Sequence, residues 1–195
     1  MSCIWQYDSK KNFSYEARQQ VSRNEFSKFK YNQALSLWSE YIVEFNNDIN
    51  LNLNVIIKIL CIDGMNKIAN EIENEIKKEI ESYKIHRNIT RLYKYCGDRI
   101  NLLLRYMISK MGLIHGLGLV DETIDNIKSM FNNKILNEIW DWFEPAMKKL
   151  YKIYPEWDDI YQLEVMFEPI INVFKYFGLS PKDDNGNLYL GVSLP

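Results

Sequence analysis

The longest uninterrupted helical period of the sequence lies within residues 52–83. Its apolar residues recur every three or four positions, as on the buried face of an amphipathic α-helix. Similar periods cover most of the chain, whereas strand-like alternation is confined to its last residues. The pattern therefore predicts an all-α protein. The apolar residues of this stripe are Ile56, Ile59 or Leu60, Met65, Ile68, Ile72, Ile76, Ile80 and Tyr83.

Breaks in the apolar periodicity divide the chain into a bundle of about six to eight helices. The breaks fall at residues 46–48, 86–88 and 154–157. Asn88 or Thr90 is expected to cap the central helix, and Asp121 the helix after it. The glutamates Glu71, Glu75 and Glu79 are expected on a solvated face. The predicted helices cover approximately residues 12–31, 32–45, 52–83, 90–111, 121–143 and 158–177.

Glycine and proline positions refine these boundaries. Gly112, Gly116 and Gly118 follow the central helix and predict a turn between helices. Pro145 is expected to start a new helix, because proline is favoured at the first helical position. Pro169 is expected to kink or restart the last helix, and Gly178 to end it in a left-handed conformation.

The end of the chain has a different character. Asp184-Asn-Gly-Asn187 is a strong turn signal, and alternating apolar residues follow it. This predicts a β-hairpin or an extended tail over residues 179–195. Neither a repeat nor a low-complexity linker is evident, so residues 1–195 are expected to form a single helical domain with an extended lead-in at residues 1–12.

Size and composition place the chain among globular proteins. Its 195 residues suffice for a hydrophobic core, and apolar and aromatic contents of 47% and 14% are too high for a disordered chain. The three cysteines, Cys3, Cys61 and Cys96, form no CxxC pair and suggest free thiols in a reducing compartment. Without a signal-peptide pattern or a membrane-length apolar run, we expect a cytoplasmic protein, in the host cytoplasm if viral. Abundant Asn, Ile, Lys and Tyr suggest an AT-rich genome.

Charge is distributed unevenly along the sequence. From Lys77 to Lys110, nine cations stand against three anions, whereas thirteen acids stand against seven lysines from Asp121 onward. The basic segment either pairs with the acidic half or presents a surface to a partner. The candidate residues for binding nucleic acid or another partner are Lys77, Lys78, Lys84, Arg87, Arg91, Lys94, Arg99 and Arg105.

These features favour a non-enzymatic interaction protein that binds a macromolecular partner, most simply another protein. Aromatic residues and arginine are the usual anchors of protein interfaces. The profile suits a phage or viral accessory factor that inhibits a host complex. The first alternative is an RNA- or DNA-binding module, or a subunit of a ribonucleoprotein, that uses residues 77–110. Self-association as a homodimer is a further expectation, and no cofactor is expected.

A second basic stretch precedes the helical periods. In residues 10–31, lysines and arginines alternate with phenylalanines and tyrosines, which is a pattern that stacks bases and holds phosphates. The simpler interpretation is a helix whose aromatic residues enter the core while its cations stay hydrated.

Catalytic signatures are weak. Arg105 precedes His115 by ten positions, too far for the RxxxxH motif of the HEPN ribonucleases, and His86 lies in a basic stretch. The pair Glu122 and Asp125 resembles the ExxD half of the acidic motifs with which MazG-like nucleotide pyrophosphohydrolases hold Mg²⁺. Glu71 and Glu75 supply carboxylates one turn apart on an earlier helix, although Asn74 stands where the ExxE spacing requires an acid. A magnesium-dependent pyrophosphohydrolase is therefore the second alternative, and no metal ligand is assigned.

Overall fold

A computed structural model describes residues 24–46, 61–154, 156–157 and 159–193. It confirms the predicted all-α bundle with a C-terminal β-hairpin. Among the helices of these residues, none combines the length and the apolar run that a bilayer crossing requires. The elements in chain order are α1 (Glu25–Phe45), α2 (Ile62–His86), α3 (Ile89–Gly116), α4 (Asp121–Ser129), α5 (Lys134–Ile153), a 3₁₀-helix (Ile160–Met166), α6 (Phe167–Tyr176), β1 (Leu179–Asp184) and β2 (Asn187–Val192).

Helix α3 is the centre of the fold. It runs parallel to α1 and antiparallel to α2, and its contact with α1 is the most extensive between any two helices. Helices α5 and α6 and the 3₁₀-helix complete the core around α1 and α3. The largest side chains in this core that are fully buried are Trp38, Trp140, Tyr41, Phe143 and Phe174.

The predicted turn at Gly112 and Gly116 is wrong, because α3 continues through both residues. A Cβ atom on Gly112 would lie 2.3 Å from the carbonyl oxygen of Tyr41, and one on Gly116 would lie 2.2 Å from that of Phe45. The two glycines thus allow the backbones of α1 and α3 to approach closely. Only Gly118, with φ of 60°, lies in the turn that follows.

Helix α1 begins earlier than predicted. Asn24 caps it by accepting a hydrogen bond from the backbone N–H of Ser27, so that the helix starts at Glu25 and not near residue 32. In the described part of the basic and aromatic stretch, Phe29 and Tyr31 are buried in the core. This agrees with the simpler interpretation for residues 24–31, and the rest of the stretch lies outside the described residues, as does the lead-in.

Helix α2 begins at Ile62, directly after Cys61, whose backbone is left-handed with φ of 49°. The predicted start near residue 52 falls within residues 47–60, which lie outside the described part of the chain. From Met65 onward the predicted apolar stripe of α2 faces the core. The next helix, α3, begins as predicted, because the Asn88 side chain accepts a hydrogen bond from the backbone N–H of Arg91.

Residues 121–143 form two helices and not the single one predicted. The Asn66 amide of α2 donates to the carbonyl of Met130 and accepts from the N–H of Asn132, which holds the chain out of helical geometry there. Asn133 then caps α5, whose helix continues through Pro145. The predicted restart at Pro145 is therefore wrong. Helix α4 does start at Asp121, but the N-cap position is Val120.

The C-terminal predictions are confirmed. Helix α6 restarts after the 3₁₀-helix with Pro169 in its first turn, and Gly178 follows α6 with φ of 78°. The hairpin turns at Asn185 and Gly186, whose positive φ values of 53° and 91° are those of a type I′ turn. Leu179 pairs with Val192 in the hairpin, and the apolar side of the hairpin packs on α6 and α1.

Candidate functional site

The basic segment lies on the second half of α2, most of α3 and the connection between them. Four of its eight candidate cations are bound to carboxylates of the fold. Lys84 contacts Glu81 at 2.8 Å, one turn away on α2. The other three are Arg91, Arg99 and Arg105, which bridge α3 to neighbouring helices.

The pair of Arg91 and Glu79 is the most buried of these contacts. The Arg91 Nε and Nη2 donate to the two oxygens of Glu79 at 2.9 and 3.2 Å. The His86 Nε2 lies 3.4 Å from the same carboxylate. Glu79 is only 7% exposed, so its predicted place on a solvated face is wrong. Its carboxylate instead forms a bidentate ion pair with Arg91, which links the end of α2 to the start of α3.

The other two arginines bind on different sides of α3. Arg99 Nε lies 2.9 Å from Glu75 of α2, whereas Arg105 donates through Nε, at 2.9 Å, to Glu40 of α1. The carboxylates that neutralise these arginines therefore all precede residue 82. The predicted pairing between the basic segment and the acidic half that begins at Asp121 is not what holds Lys84, Arg91, Arg99 and Arg105.

Between the two arginine pairs, α3 exposes an apolar strip that we call the α3 groove, formed by Tyr95, Leu102 and Tyr106. Tyr95 is 36% and Leu102 is 52% exposed, and Tyr106 is half-buried. The guanidinium of Arg99 lies over the Tyr95 ring, 5.4 Å from its centroid. Acid–arginine pairs thus border the groove on the α1 and α2 sides.

One end of the α3 groove adjoins the connection between α2 and α3. Here Ile85 is 88% exposed, and Arg87, Ile89 and Lys94 follow it in the connection and the start of α3. We call these four residues the basic corner. Lys77, Lys78, Arg87 and Lys94, the other four candidate cations, make no ion pair with another described residue.

A second constellation surrounds His115 in the last turn of α3. The Tyr41 hydroxyl lies 2.8 Å from Nδ1 of the imidazole, and Glu144 lies 3.4 Å from Nε2. Glu144 also accepts from Trp140 at 3.0 Å and from Lys148 at 2.9 Å. The His115 side chain is only 6% exposed.

Burial and charge set the protonation of this constellation. Burial lowers the pKa of His115, although Glu144 acts in the opposite direction. Burial raises the pKa of Tyr41 above its ordinary value. Burial also tends to raise the pKa of Glu144, but hydrogen bonds from Lys148 and Trp140 outweigh it and the pKa is lowered. At neutral pH the network therefore contains a neutral phenol, a neutral imidazole and a carboxylate.

This constellation is part of the wall of an open cleft of about 360 Å³. Sequence reasoning singled out His115 alone, because its partners come from α1 and α5. The Glu144 and Lys148 pair, one helical turn apart, was the only signal that the sequence contained. The cleft is lined by Tyr41, Phe45, His115, Leu119, Asp121, Ile124, Lys148, Tyr151 and Lys152.

Metal-binding and thiol chemistry have little support in the described part of the chain. No three of its His, Cys, Asp or Glu side chains, among them Glu71, Glu75, Glu122 and Asp125, lie close enough together to hold a metal ion. Cys61 and Cys96 are free thiols. Burial raises the pKa of Cys96 to about 12, which keeps that thiol protonated.

Comparison with known proteins adds no family to this description: neither a protein-family model, nor a curated protein, nor a solved structure matches the chain.

Proposed function

We propose that the protein binds another protein through the α3 groove and the basic corner, and that the bound element is an amphipathic helix with acidic residues at one end. The observation that carries this proposal is the exposure of Leu102, at 52%, in the middle of the longest described helix. The side chain lies between the Arg99–Glu75 and Arg105–Glu40 pairs.

The apolar strip has the spacing that helix-in-groove recognition uses. Tyr95, Leu102 and Tyr106 project from one side of α3 at intervals of seven and four residues, so a partner helix that lies along α3 meets all three. Tyrosine gives a large contact area at a small cost in side-chain entropy. Burying a leucine contributes about 1.5–3 kcal/mol.

The charges at the end of the groove determine the sign of the charge that we expect on the partner. Between Lys84 and Lys94 there are four cations and no acid in the sequence. Two of them, Arg87 and Lys94, make no ion pair within the described residues. A partner whose acidic residues lie over the basic corner satisfies these cations and gains in association rate.

Nucleic acid is the less favoured partner of the same surface. Arg91, Arg99 and Arg105 already donate to carboxylates, and those carboxylates would lie close to any phosphate that approached the arginines. The nucleic-acid alternative therefore rests on Lys77, Lys78, Arg87 and Lys94, which make no ion pair with the part of the chain that the structure describes.

Affinity purification from the native source, with and without nuclease, tests the proposal when wild type is compared with three variants. Leu102→Glu places a charge in the groove, and Arg87→Glu reverses the charge of the corner. Tyr189→Glu is the matched control, because Tyr189 is 57% exposed on the hairpin, away from the groove. We expect nuclease-resistant recovery of one protein at high stoichiometry, reduced about tenfold or more by Leu102→Glu.

Arg87→Glu should reduce recovery less than Leu102→Glu and should weaken its dependence on salt. The Tyr189→Glu control should match wild type. If recovery of the partner disappears with nuclease, the basic corner binds nucleic acid, as the alternative states. Recovery that is equally strong in wild type and Leu102→Glu would refute the groove as the binding surface.

A further inference from the structure

We infer that the cleft beside His115 binds a small organic carboxylate with an aromatic body. This inference is independent of the proposed protein interface, because the cleft is lined by α1, α4 and α5 and by the C-terminal end of α3. Its volume of about 360 Å³ falls within the range of small-molecule sites. The ligand class follows from the floor, the walls and the rim of the cleft.

The floor is polar but uncharged. Because the Glu144 carboxylate can only accept, the imidazole N–H lies on Nε2 and faces Glu144, and Nδ1 accepts the hydroxyl proton of Tyr41. Both ring nitrogens are therefore occupied, and the imidazole has no lone pair with which to act as a base on a ligand. The Tyr41 oxygen keeps acceptor capacity, which suits binding more than catalysis.

The walls are mostly apolar. Leu119 and Ile124 contribute aliphatic surface from the loop before α4 and from α4 itself. Phe45 and Tyr151 lie against each other, with ring centroids 4.0 Å apart, and present aromatic surface from α1 and α5. Aromatic rings favour offset-stacked or edge-to-face neighbours, so an aryl group is the best complement to these walls.

The rim supplies cations. Lys148 and Lys152 stand one turn apart on α5, and both line the cleft. Lys148 uses one of its three donors on Glu144, and Lys152 makes no ion pair with another described residue.

The two acids near the cleft are already compensated. Glu144 accepts from Trp140, Lys148 and His115, and Asp121 lies in the first turn of α4, where the helix dipole stabilises a negative charge. The charged donors that remain for a ligand belong to the lysines, and the Tyr151 hydroxyl adds a neutral donor. Its charged group is accordingly an anion, and a carboxylate matches two ammonium groups one turn apart.

Ligand-observed saturation-transfer NMR on the full chain tests this inference with 3-phenylpropionate as the probe. The matched ligand control is 3-phenylpropanamide, which has the same body without the charge. Lys152→Gln removes the unpaired rim cation, and Lys149→Gln removes a neighbouring exposed lysine that does not line the cleft. Both variants alter surface residues and should leave the fold intact.

We expect the acid to bind wild type and Lys149→Gln equally, to bind Lys152→Gln about threefold to tenfold more weakly, and to bind better than the amide. Saturation transfer from the protein should be strongest to the ring protons of the ligand, since the aryl group lies between the aromatic walls of the cleft. Equal binding of acid and amide, equal binding by both lysine variants, or absence of transfer from the acid to wild type would each overturn the inference.

Discussion

Helices α1 and α2 pack on the same central helix by opposite means. Helix α1 reaches α3 through backbone contact at Gly112 and Gly116, where any side chain would collide with it. Helix α2 reaches α3 through an isoleucine stripe and through carboxylates that bind Arg91 and Arg99. Both interfaces contain ion pairs, since Arg105 binds Glu40 of α1, but only the α1 interface has close backbone contact at glycines. The two should therefore respond differently to substitution.

The largest expected effect is that of Gly112→Ala. The added Cβ would lie 2.3 Å from the Tyr41 oxygen and 3.0 Å from the Tyr41 carbonyl carbon, so α1 must move away from α3. We expect a loss of about 3 kcal/mol in the free energy of unfolding, measured with urea.

Gly97→Ala is the matched control, because nothing lies within 4 Å of the position of its Cβ. That substitution should stabilise the protein by up to about 1 kcal/mol, through the higher helix propensity of alanine. If the two alanine variants were equally stable, close backbone contact would not be what holds α1 in place.

On the other side of α3, Glu79→Gln should destabilise by about 1–2 kcal/mol, because it removes the charge of a buried carboxylate that accepts two hydrogen bonds from Arg91. The Arg91 side chain is itself exposed, which limits the loss. Glu75→Gln weakens the corresponding pair with Arg99, whose two side chains are more than a third exposed, and should cost less than about 1 kcal/mol. Equal losses in urea titrations of the two variants would show that burial does not distinguish these pairs.

Besides the Glu40–Arg105 ion pair, the α1–α3 interface has a polar contact between Tyr41 and His115, at 2.8 Å. Tyr41→Phe should lower the free energy of unfolding by about 1 kcal/mol, since it leaves the imidazole nitrogen without its donor. Tyr93→Phe is the control, because the Tyr93 hydroxyl makes no hydrogen bond to another described residue. If Tyr93→Phe is destabilised as much as Tyr41→Phe, the hydrogen bond to His115 does not explain the loss of stability.

The smallest expected effect is a dependence on pH. Burial among Tyr41, Trp140, Glu144 and Lys148 lowers the pKa of His115 from its ordinary value of 6.5, and Glu144 partly offsets this. The unfolded chain therefore takes up the proton more readily, and the contribution of His115 is present above pH 6.5 and declines as the pH falls below it. His115→Gln should show a smaller decline than wild type between pH 7.5 and 5.5 in urea titrations, and an unchanged decline would contradict this assignment.

Local signals explain what the sequence predicted well. Asn88 caps α3, Gly178 ends α6, and Asn185 with Gly186 forms the hairpin turn. Each of these roles depends on the backbone conformation of the residue itself and on a few neighbours in the chain. The isoleucine stripe of α2 is readable for the same reason, because its period alone defines one face of the helix.

What the sequence did not predict depends on residues that are distant in the chain. Gly112 resembles a turn residue until Tyr41 is placed against it. The apolar period from Ile124 to Phe143 resembles one helix until Asn66 of α2 holds residues 130–132 in another conformation. Glu79 resembles a surface residue until α3 folds back over it.

The candidate binding surface was predictable only as a composition. The excess of cations between Lys77 and Lys110 marks the part of the chain that contains the proposed surface. Which of them are neutralised depends on Glu40, Glu75 and Glu79, whose positions the sequence does not specify. The sequence contains still less indication of the cleft beside His115, because four different parts of the chain line this cleft.

The parallel arrangement of α1 and α3 has a consequence for the order in which the protein can be made. Tyr41 and His115, which meet across this interface, are 74 residues apart in the chain. During translation α1 emerges from the ribosome several seconds before the partner surface of α3 exists, at about 5–20 residues per second. Until then Tyr41 lacks its native contact with His115, and Trp38 also lacks its contacts with Tyr154 and Trp157, which are made later still. Chaperone binding to the nascent chain should therefore concentrate on α1, weaken when residues 112–116 become available and end only after Trp157.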